Sequence, residues 1–150
     1  MSDTKEIESL VLDKFAFLQD GFGLGTPILK RDTCNTTISY LSSEIGIEIE
    51  LDWRDLDVFI LITKLDEGKL PKGYYVYNGK VCRVHLEEVL KNKFNINKNE
   101  IQEVIQSGKN KKQSRNQQAM VTRITAYQQL LHNHVGAICS AGGNLFKDTP

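Results

Sequence analysis

The sequence predicts an α+β domain: one helix, then an antiparallel meander of about five strands, then three helices, the last of them long. Two observations predict this class. Apolar and polar residues alternate without a fault from Ile45 to Trp53, which is typical of a strand with one buried and one solvated face. The strand signals also precede the C-terminal helical signals instead of alternating with them, which favours α+β over α/β. We assign residues 1–150 to this single domain.

Composition is that of an ordinary globular chain. Hydrophobic residues make up 40% and the formal net charge is zero, so the sequence predicts neither disorder nor an overall preference for nucleic acid or membranes. No apolar run approaches the roughly 20 residues that span a bilayer. Three widely spaced cysteines, in a chain that begins without a secretory signal, predict reduced thiols and a cytoplasmic location.

The charges are unevenly distributed along the chain. Residues 1–103 contain 18 acidic and 13 basic side chains, whereas residues 104–150 contain six basic side chains and one acidic one. We expect the two parts to attract each other, within one fold or between subunits.

The first helix is predicted from Lys5 to Gln19, with Asp3 as its N-cap and Gly21 after its end. The glycine-rich run 21–25 that follows is predicted to be a structural turn. A phosphate-binding loop would follow a strand and open a helix, and this run does the reverse.

The meander is predicted from alternation and turn signals. The Asn78-Gly79 pair predicts a tight hairpin, because both central residues of its turn need positive φ. The third strand is apolar on both faces, so we expect it to be central. The predicted strands are Asn35–Tyr40, Ile45–Trp53, Leu56–Thr63, Tyr74–Tyr77 and Lys80–Arg83.

Three helices complete the prediction. The first runs from His85 to Lys93, the second starts at Asn97 and ends near Gly108, and the last runs from Ser114 to Cys139. A polar connector, residues 108–113, precedes the last helix. That helix has an apolar stripe made of Met120, Ile124, Tyr127, Leu131, Val135 and Ile138.

Acidic residues of the second strand, of the turn after it and of the third strand form the first candidate site. They are Glu48, Glu50, Asp52, Asp55 and Asp57. Strand alternation alone predicts a solvated acidic face. The same face would suit a basic protein partner, because its negative charge would speed association with that partner. The pattern lacks the glycine and the distal glutamate of a calcium loop.

The tyrosines of the hairpin form a second candidate. Tyr74 and Tyr75 are adjacent, so we expect them to face opposite sides of a strand and at least one of them to be exposed. Exposed tyrosines are frequent binding hot spots, and Tyr75 and Tyr77 are the residues that we predict to contact a partner. Core packing of the other face is the alternative.

A basic stretch forms a third candidate. Lys109, Lys111, Lys112 and Arg115, with Arg123 beyond them, could contact phosphates. Because interleaved aromatics and a recognised motif are absent, we favour a solvated linker and keep a nucleic-acid contact as the alternative.

Neither catalysis nor metal binding is predicted. Cys82 and His85 straddle a strand-to-helix junction without a third orienting group. His132 and His134 are two apart, and such positions face different sides of a helix. We therefore expect no catalytic residue, no metal and no cofactor.

Several segments carry a resemblance to a known group of proteins. The run Phe15-Ala16-Phe17-Leu18 is followed by Gly21-Phe22-Gly23, and strands containing Ile38-Ser39-Tyr40 and Ile47-Glu48-Ile49 come next. This pattern, over roughly the first 90 residues, resembles small bacterial immunity proteins of polymorphic toxin systems. The resemblance implies a non-catalytic protein that binds and blocks a toxin.

The sequence thus supports three functional hypotheses. The first is a non-catalytic cytosolic protein-binding domain, of the immunity type. The second is a structural protein that forms a homodimer through its C-terminal helix. The third is a nucleic-acid-associated protein that uses residues 109–123.

Overall fold

A computed structural model describes residues 2–106 and 117–146 and confirms the α+β class. The helices are α1 (Ser2–Lys14), α2 (Phe17–Asp20), α3 (Leu86–Lys93), α4 (Lys98–Gln106) and α5 (Gln117–Ala141), with a 3-10 turn at Gly142–Phe146. The strands are β1 (Ile28–Arg31), β2 (Asn35–Leu41), β3 (Ile45–Asp52), β4 (Asp57–Lys64), β5 (Val76–Tyr77), β6 (Lys80–Val81) and β7 (Arg83–His85).

The main sheet has five antiparallel strands in the order β1-β2-β3-β4-β7. The predicted strands at β2, β3 and β4 are confirmed, and β4 lies between β3 and β7, as its apolar sequence predicts. Strand β1 was not predicted. It has only four residues at the edge of the sheet, where Ile28, Lys30 and Arg31 stay exposed, so no apolar alternation marks it.

One face of the sheet forms the core. The strand register aligns Ile38, Ile49 and Ile60 in one row across the centre, and all three are buried. Tyr40, Ile47 and Ile62 form the next row and are also buried. We call this the inner face, and the helices pack on it.

The last helix covers the inner face. All six residues of the predicted apolar stripe of α5 are buried, and α5 contacts β4, α1 and α4. The prediction of a long amphipathic helix at this position is confirmed. The apolar stripe of α5 therefore packs against other elements of the same chain.

The first predicted helix is in fact two. Helix α1 ends at Lys14 and the short α2 begins at Phe17. Between them Ala16 N–H donates to the carbonyl of Asp13, which tightens the turn and redirects the chain. The prediction that Asp3 caps the helix is also wrong, because α1 already begins at Ser2.

The hairpin at Asn78-Gly79 is confirmed, although its strands are short. Asn78 and Gly79 have φ of 54° and 76°, as a type I′ turn requires. Strands β5 and β6 have two residues each and form a separate ladder beside the main sheet. The fifth strand of the main sheet is β7, which follows the hairpin immediately.

The helix predicted from Asn97 is also confirmed. The side-chain oxygen Oδ1 of Asn97 accepts a hydrogen bond of 2.8 Å from the N–H of Asn99, which caps α4. The predicted connector 108–113 lies outside the described residues. Among the described helices, none is at once long enough and apolar enough to cross a membrane.

Packing of α5 on the sheet can be tested with two neighbouring residues of that helix. Ile124 is completely buried, whereas Thr125 is exposed. We expect Ile124→Ala to lower the free energy of unfolding by about 2–5 kcal/mol, through lost burial and a cavity. Thr125→Ala should change it by less than about 0.5 kcal/mol. Urea unfolding followed by circular dichroism measures both, and equal effects of the two substitutions would contradict this packing.

Candidate functional site on the outer face of the sheet

The opposite side of the sheet, which we call the outer face, is only partly covered. Its central row runs through Lys30, Thr37, Glu50 and Phe59 on four neighbouring strands, and none of these side chains is buried. A cleft of about 340 Å³ lies over this face, and Leu70–Tyr74 forms one of its walls. Its size is that of a small binding site.

Glu48 does not belong to a solvated acidic face. Its side chain is buried, and the residue is only 3% exposed, so the prediction of a wet face along the whole of β3 is wrong here. Ser39 Oγ donates to Glu48 Oε2 at 3.0 Å, and Thr63 Oγ1 donates to Oε1. Arg83 Nε donates to Oε1 at 2.6 Å and completes a buried ion pair.

Arg83 also holds the wall of the cleft in place. Its Nη1 donates to the carbonyl oxygens of Gly73 and Tyr74 at 2.7 and 2.8 Å. The Cys82 thiol donates to the same Tyr74 carbonyl at 3.1 Å. One guanidinium therefore joins the buried carboxylate of β3 to the backbone of the segment that lies over the sheet.

Tyr74 and Tyr75 lie together instead of facing opposite sides. They precede β5 in an irregular bend, where strand alternation does not apply, so that prediction is wrong. Their ring centroids are 4.5 Å apart and the rings are nearly perpendicular, at 84°. This is the edge-to-face geometry that aromatic quadrupoles favour.

Each tyrosine hydroxyl has a partner on the sheet. Tyr74 donates to Glu50 Oε1 at 2.7 Å, and the Tyr75 hydroxyl lies 2.9 Å from Nε2 of His85. Partial burial, together with the hydrogen bond to Glu50, raises the pKa of Tyr74 above its ordinary value. Phe59 extends the aromatic group, because its ring lies 5.9 Å from that of His85.

Tyr74, Tyr75 and Val76 together form what we call the aromatic patch. Their exposures are 45%, 46% and 53%, which is high for large apolar side chains. Tyr77, the other predicted contact residue, is half-buried in β5.

Two of the remaining predicted acidic residues, Asp52 and Asp57, have partners within the chain. Asp52 Oδ1 accepts hydrogen bonds from the N–H groups of Arg54 and Asp55 and so caps the turn between β3 and β4. Asp57 forms an ion pair with Arg123 of α5. Asp55 is half-buried in the same turn.

The predicted basic residues are not brought together by the described structure. Lys109, Lys111, Lys112 and Arg115 lie outside the described residues. Arg123 is buried, and its pairing with Asp57 corrects its assignment to a solvent-facing basic stretch. Its guanidinium carbon also lies 5.8 Å from the centre of the Tyr127 ring.

Cys82 and His85 have different partners in the structure, and so do His132 and His134. Burial raises the pKa of the Cys82 thiol, and the ring of His85 is bound to Tyr75. His132 packs against Phe17, whereas His134 lies 2.8 Å from Glu100 across the α4–α5 contact. Within ranges 2–106 and 117–146, no group of three His, Cys, Asp or Glu side chains is placed to hold a metal ion.

A second buried carboxylate, Glu8 of α1, was not predicted. Arg31 of β1 donates to both of its oxygens, and Thr36 donates to Oε2 at 2.7 Å. The indole N–H of Trp53 donates in turn to Thr36 Oγ1 at 2.9 Å. Burial alone would raise the pKa of Glu8, but the donors and the charge of Arg31 lower it below its ordinary value.

Comparison with known protein families, with curated proteins and with solved structures finds no match for this chain.

The Glu48–Arg83 pair can be tested by a double-mutant cycle. Arg83→Met leaves the buried Glu48 carboxylate without its cation, so we expect a loss of about 3–5 kcal/mol in the free energy of unfolding. The double variant with Glu48→Gln removes both charges and should recover part of that loss. Urea unfolding of the four proteins measures the coupling, and additive effects would contradict a direct ion pair.

The Glu8 network predicts a pH dependence of stability. Because the folded pKa of Glu8 lies below its unfolded value of about 4.3, ionised Glu8 stabilises the fold above that pH. The contribution is lost as pH falls through the folded pKa. We expect Glu8→Gln to cost about 1–3 kcal/mol at pH 7 and less at pH 3. Urea unfolding followed by Trp53 fluorescence measures this difference, and a cost independent of pH would contradict it.

Proposed function

We propose that this chain is a non-catalytic protein-binding domain that binds a partner through the outer face of its sheet, as an immunity-type inhibitor of a bacterial toxin does. The observation that carries the proposal is the aromatic patch, which is exposed and yet fixed in position. Its two hydroxyls are bound by Glu50 and His85, and the backbone beside it is bound by Arg83.

A fixed aromatic patch suits protein binding for an energetic reason. Ordering a side chain at an interface costs about 0.5–1.5 kcal/mol when the side chain is free beforehand. Tyr74 and Tyr75 are already held by hydrogen bonds to the sheet, so less of that cost remains to be met on binding. Tyrosine is also among the residues that are enriched in binding hot spots.

The distribution of exposed apolar side chains supports the same face. Five large hydrophobic side chains are exposed in the described part of the chain. Ile28 and Tyr74 line the cleft, and Tyr75 and Val76 follow Tyr74 in the aromatic patch. Only Phe22, near the end of α2, lies elsewhere. Apolar surface concentrated in this way is typical of an interaction site.

Charge supports a basic partner. Glu48 is neutralised by Arg83, whereas Glu50 is only half-buried and accepts a hydrogen bond from an uncharged phenol. Asp32 also lines the cleft, and Lys30 of β1 contributes a positive charge to it. A negative surface next to aromatic side chains would attract a basic surface and speed association.

The two alternatives remain predictions. Pairing of subunits through the C-terminal helix would have to use the polar side of α5, because its apolar stripe packs on the sheet of the same chain. A nucleic-acid role would depend on the lysines of residues 109–112, outside the described part of the chain.

Affinity capture with matched surface variants tests the proposal. Tagged wild-type protein, Tyr75→Ala and Phe22→Ala are each used to capture partners from a bacterial lysate, and a captured protein is then purified and titrated. We expect the binding to be at least about tenfold weaker with Tyr75→Ala, as for a hot-spot residue. Phe22→Ala, which changes an exposed aromatic away from the patch, should leave the affinity unchanged.

Two outcomes would contradict the proposal. One is that no protein forms a stoichiometric complex with the wild-type chain. The other is that a partner binds Tyr75→Ala as tightly as it binds the wild type, while both variants keep the wild-type circular dichroism spectrum.

A further inference from the structure

We infer that the aromatic patch receives an arginine side chain of the partner, held against the Tyr74–Tyr75 ring pair and beside the Glu50 carboxylate. This inference deepens the proposed function and rests on it. Three features of the outer face support it: the geometry of the rings, a guanidinium that already lies at one of them, and the local charge.

The ring pair offers aromatic surface to a cation. The rings of Tyr74 and Tyr75 are nearly perpendicular, with centroids 4.5 Å apart, and each residue is almost half exposed. A cation within about 6 Å of a ring centroid is attracted by the negative face of the ring. Because hydrogen bonds to Glu50 and His85 fix both rings, this surface exists before any partner arrives.

The chain's own Arg83 already places a guanidinium against the Tyr74 ring. Its guanidinium carbon lies 5.2 Å from the centre of the Tyr74 ring. That group is buried and bound to Glu48, so it belongs to the wall of the cleft. A second guanidinium would have to approach from the solvent side, where the exposed ring of Tyr75 lies.

The local charge favours a cation there. Tyr74 is bound to Oε1 of Glu50, and the carboxylate offers a second acceptor, Oε2. The charge of Glu48 is compensated by Arg83, so Glu50 supplies the negative charge beside the rings. Lys30 lies two strands away from Glu50 in the same row, about 10 Å at ordinary strand spacing.

Arginine fits this arrangement better than lysine. Its planar guanidinium can stack on an aromatic ring while its N–H groups bind a carboxylate at the edge of the same plane. Lysine has a compact, strongly hydrated ammonium, which cannot make the stacked contact.

Titration with a minimal ligand tests the inference. Isotopically labelled wild-type protein is titrated with N-acetyl-arginine amide at constant ionic strength, and chemical shifts of the tyrosine rings are recorded by NMR. We expect saturable shifts of Tyr74 and Tyr75. The neutral analogue N-acetyl-citrulline amide should give none that saturate.

Two variants show which side chains bind the arginine amide. Glu50→Gln removes the charge and keeps an oxygen that can accept from the Tyr74 hydroxyl. Tyr75→Leu removes the aromatic face and keeps an apolar side chain. Each should weaken the binding of the arginine amide by about two- to fivefold. Asp20→Asn, at an exposed acid of α2, is the charge-matched control and should not change it.

The outcomes separate this inference from the proposed function. Equal shifts with the citrulline amide, or no saturable shift with the arginine amide, would overturn the inference, even if a partner is captured through Tyr75. Saturable binding of arginine that depends on Glu50 and Tyr75 would support it. If arginine binds in this way but the affinity capture yields no protein partner, the proposed function fails while the cation site stands.

Discussion

The buried ion pair between Glu48 and Arg83 is the interaction on which the outer side of the molecule depends. Burying two charges is costly unless hydrogen bonds satisfy them. Here Ser39 and Thr63 saturate the carboxylate, and the carbonyls of Gly73 and Tyr74 accept from the guanidinium. The pair therefore connects the centre of the sheet, its last strand and the segment over the cleft. An apolar pair of similar volume could fill the same space, but it has no N–H group to donate to the two backbone carbonyls. The position of the aromatic patch follows from this ionic link.

The inner side is held by apolar packing, with polar contacts of α5 at its margins. Helix α5 fills the space over β4 with its apolar stripe, and Arg123 at its N-terminal end pairs with Asp57 of β4. His134, further along α5, lies against Glu100 of α4. The uneven distribution of charge along the sequence is thus partly resolved within the fold, since α5 contacts acidic groups of earlier elements. Of the acids predicted for a binding surface, Glu50 has the clearest connection to exposed aromatic residues.

The sequence was informative wherever one physical rule determined the local structure. Alternation of apolar and polar residues predicted β2 to β4. The Asn78-Gly79 pair predicted a turn, because both residues readily adopt positive φ, and helical periodicity predicted the buried stripe of α5. It was not informative where the outcome depended on distant partners. Glu48 follows a perfect alternation, yet its burial is decided by Arg83, 35 residues away. Glu8 lies on the buried face of α1 because Arg31 and Thr36 supply donors to it. Tyr75 and Glu50 were candidate residues from the sequence alone, and their role in binding stays a prediction. Their geometry was not predicted, because the bend before β5 has no periodicity.

The position of α5 along the chain has a consequence for synthesis. The strands that form the apolar inner face lie between residues 28 and 85, and the helix that covers them begins at Gln117. On the ribosome, the sheet residues therefore emerge well before their cover. Until α5 follows, isoleucines of the inner face such as Ile47, Ile49 and Ile62 lack the longest helix that packs over them and are more accessible to water and to other nascent chains. A messenger that is truncated before α5 would release a product whose sheet lacks this helix, and we expect chaperones and proteases to act on that product as on an incompletely folded chain.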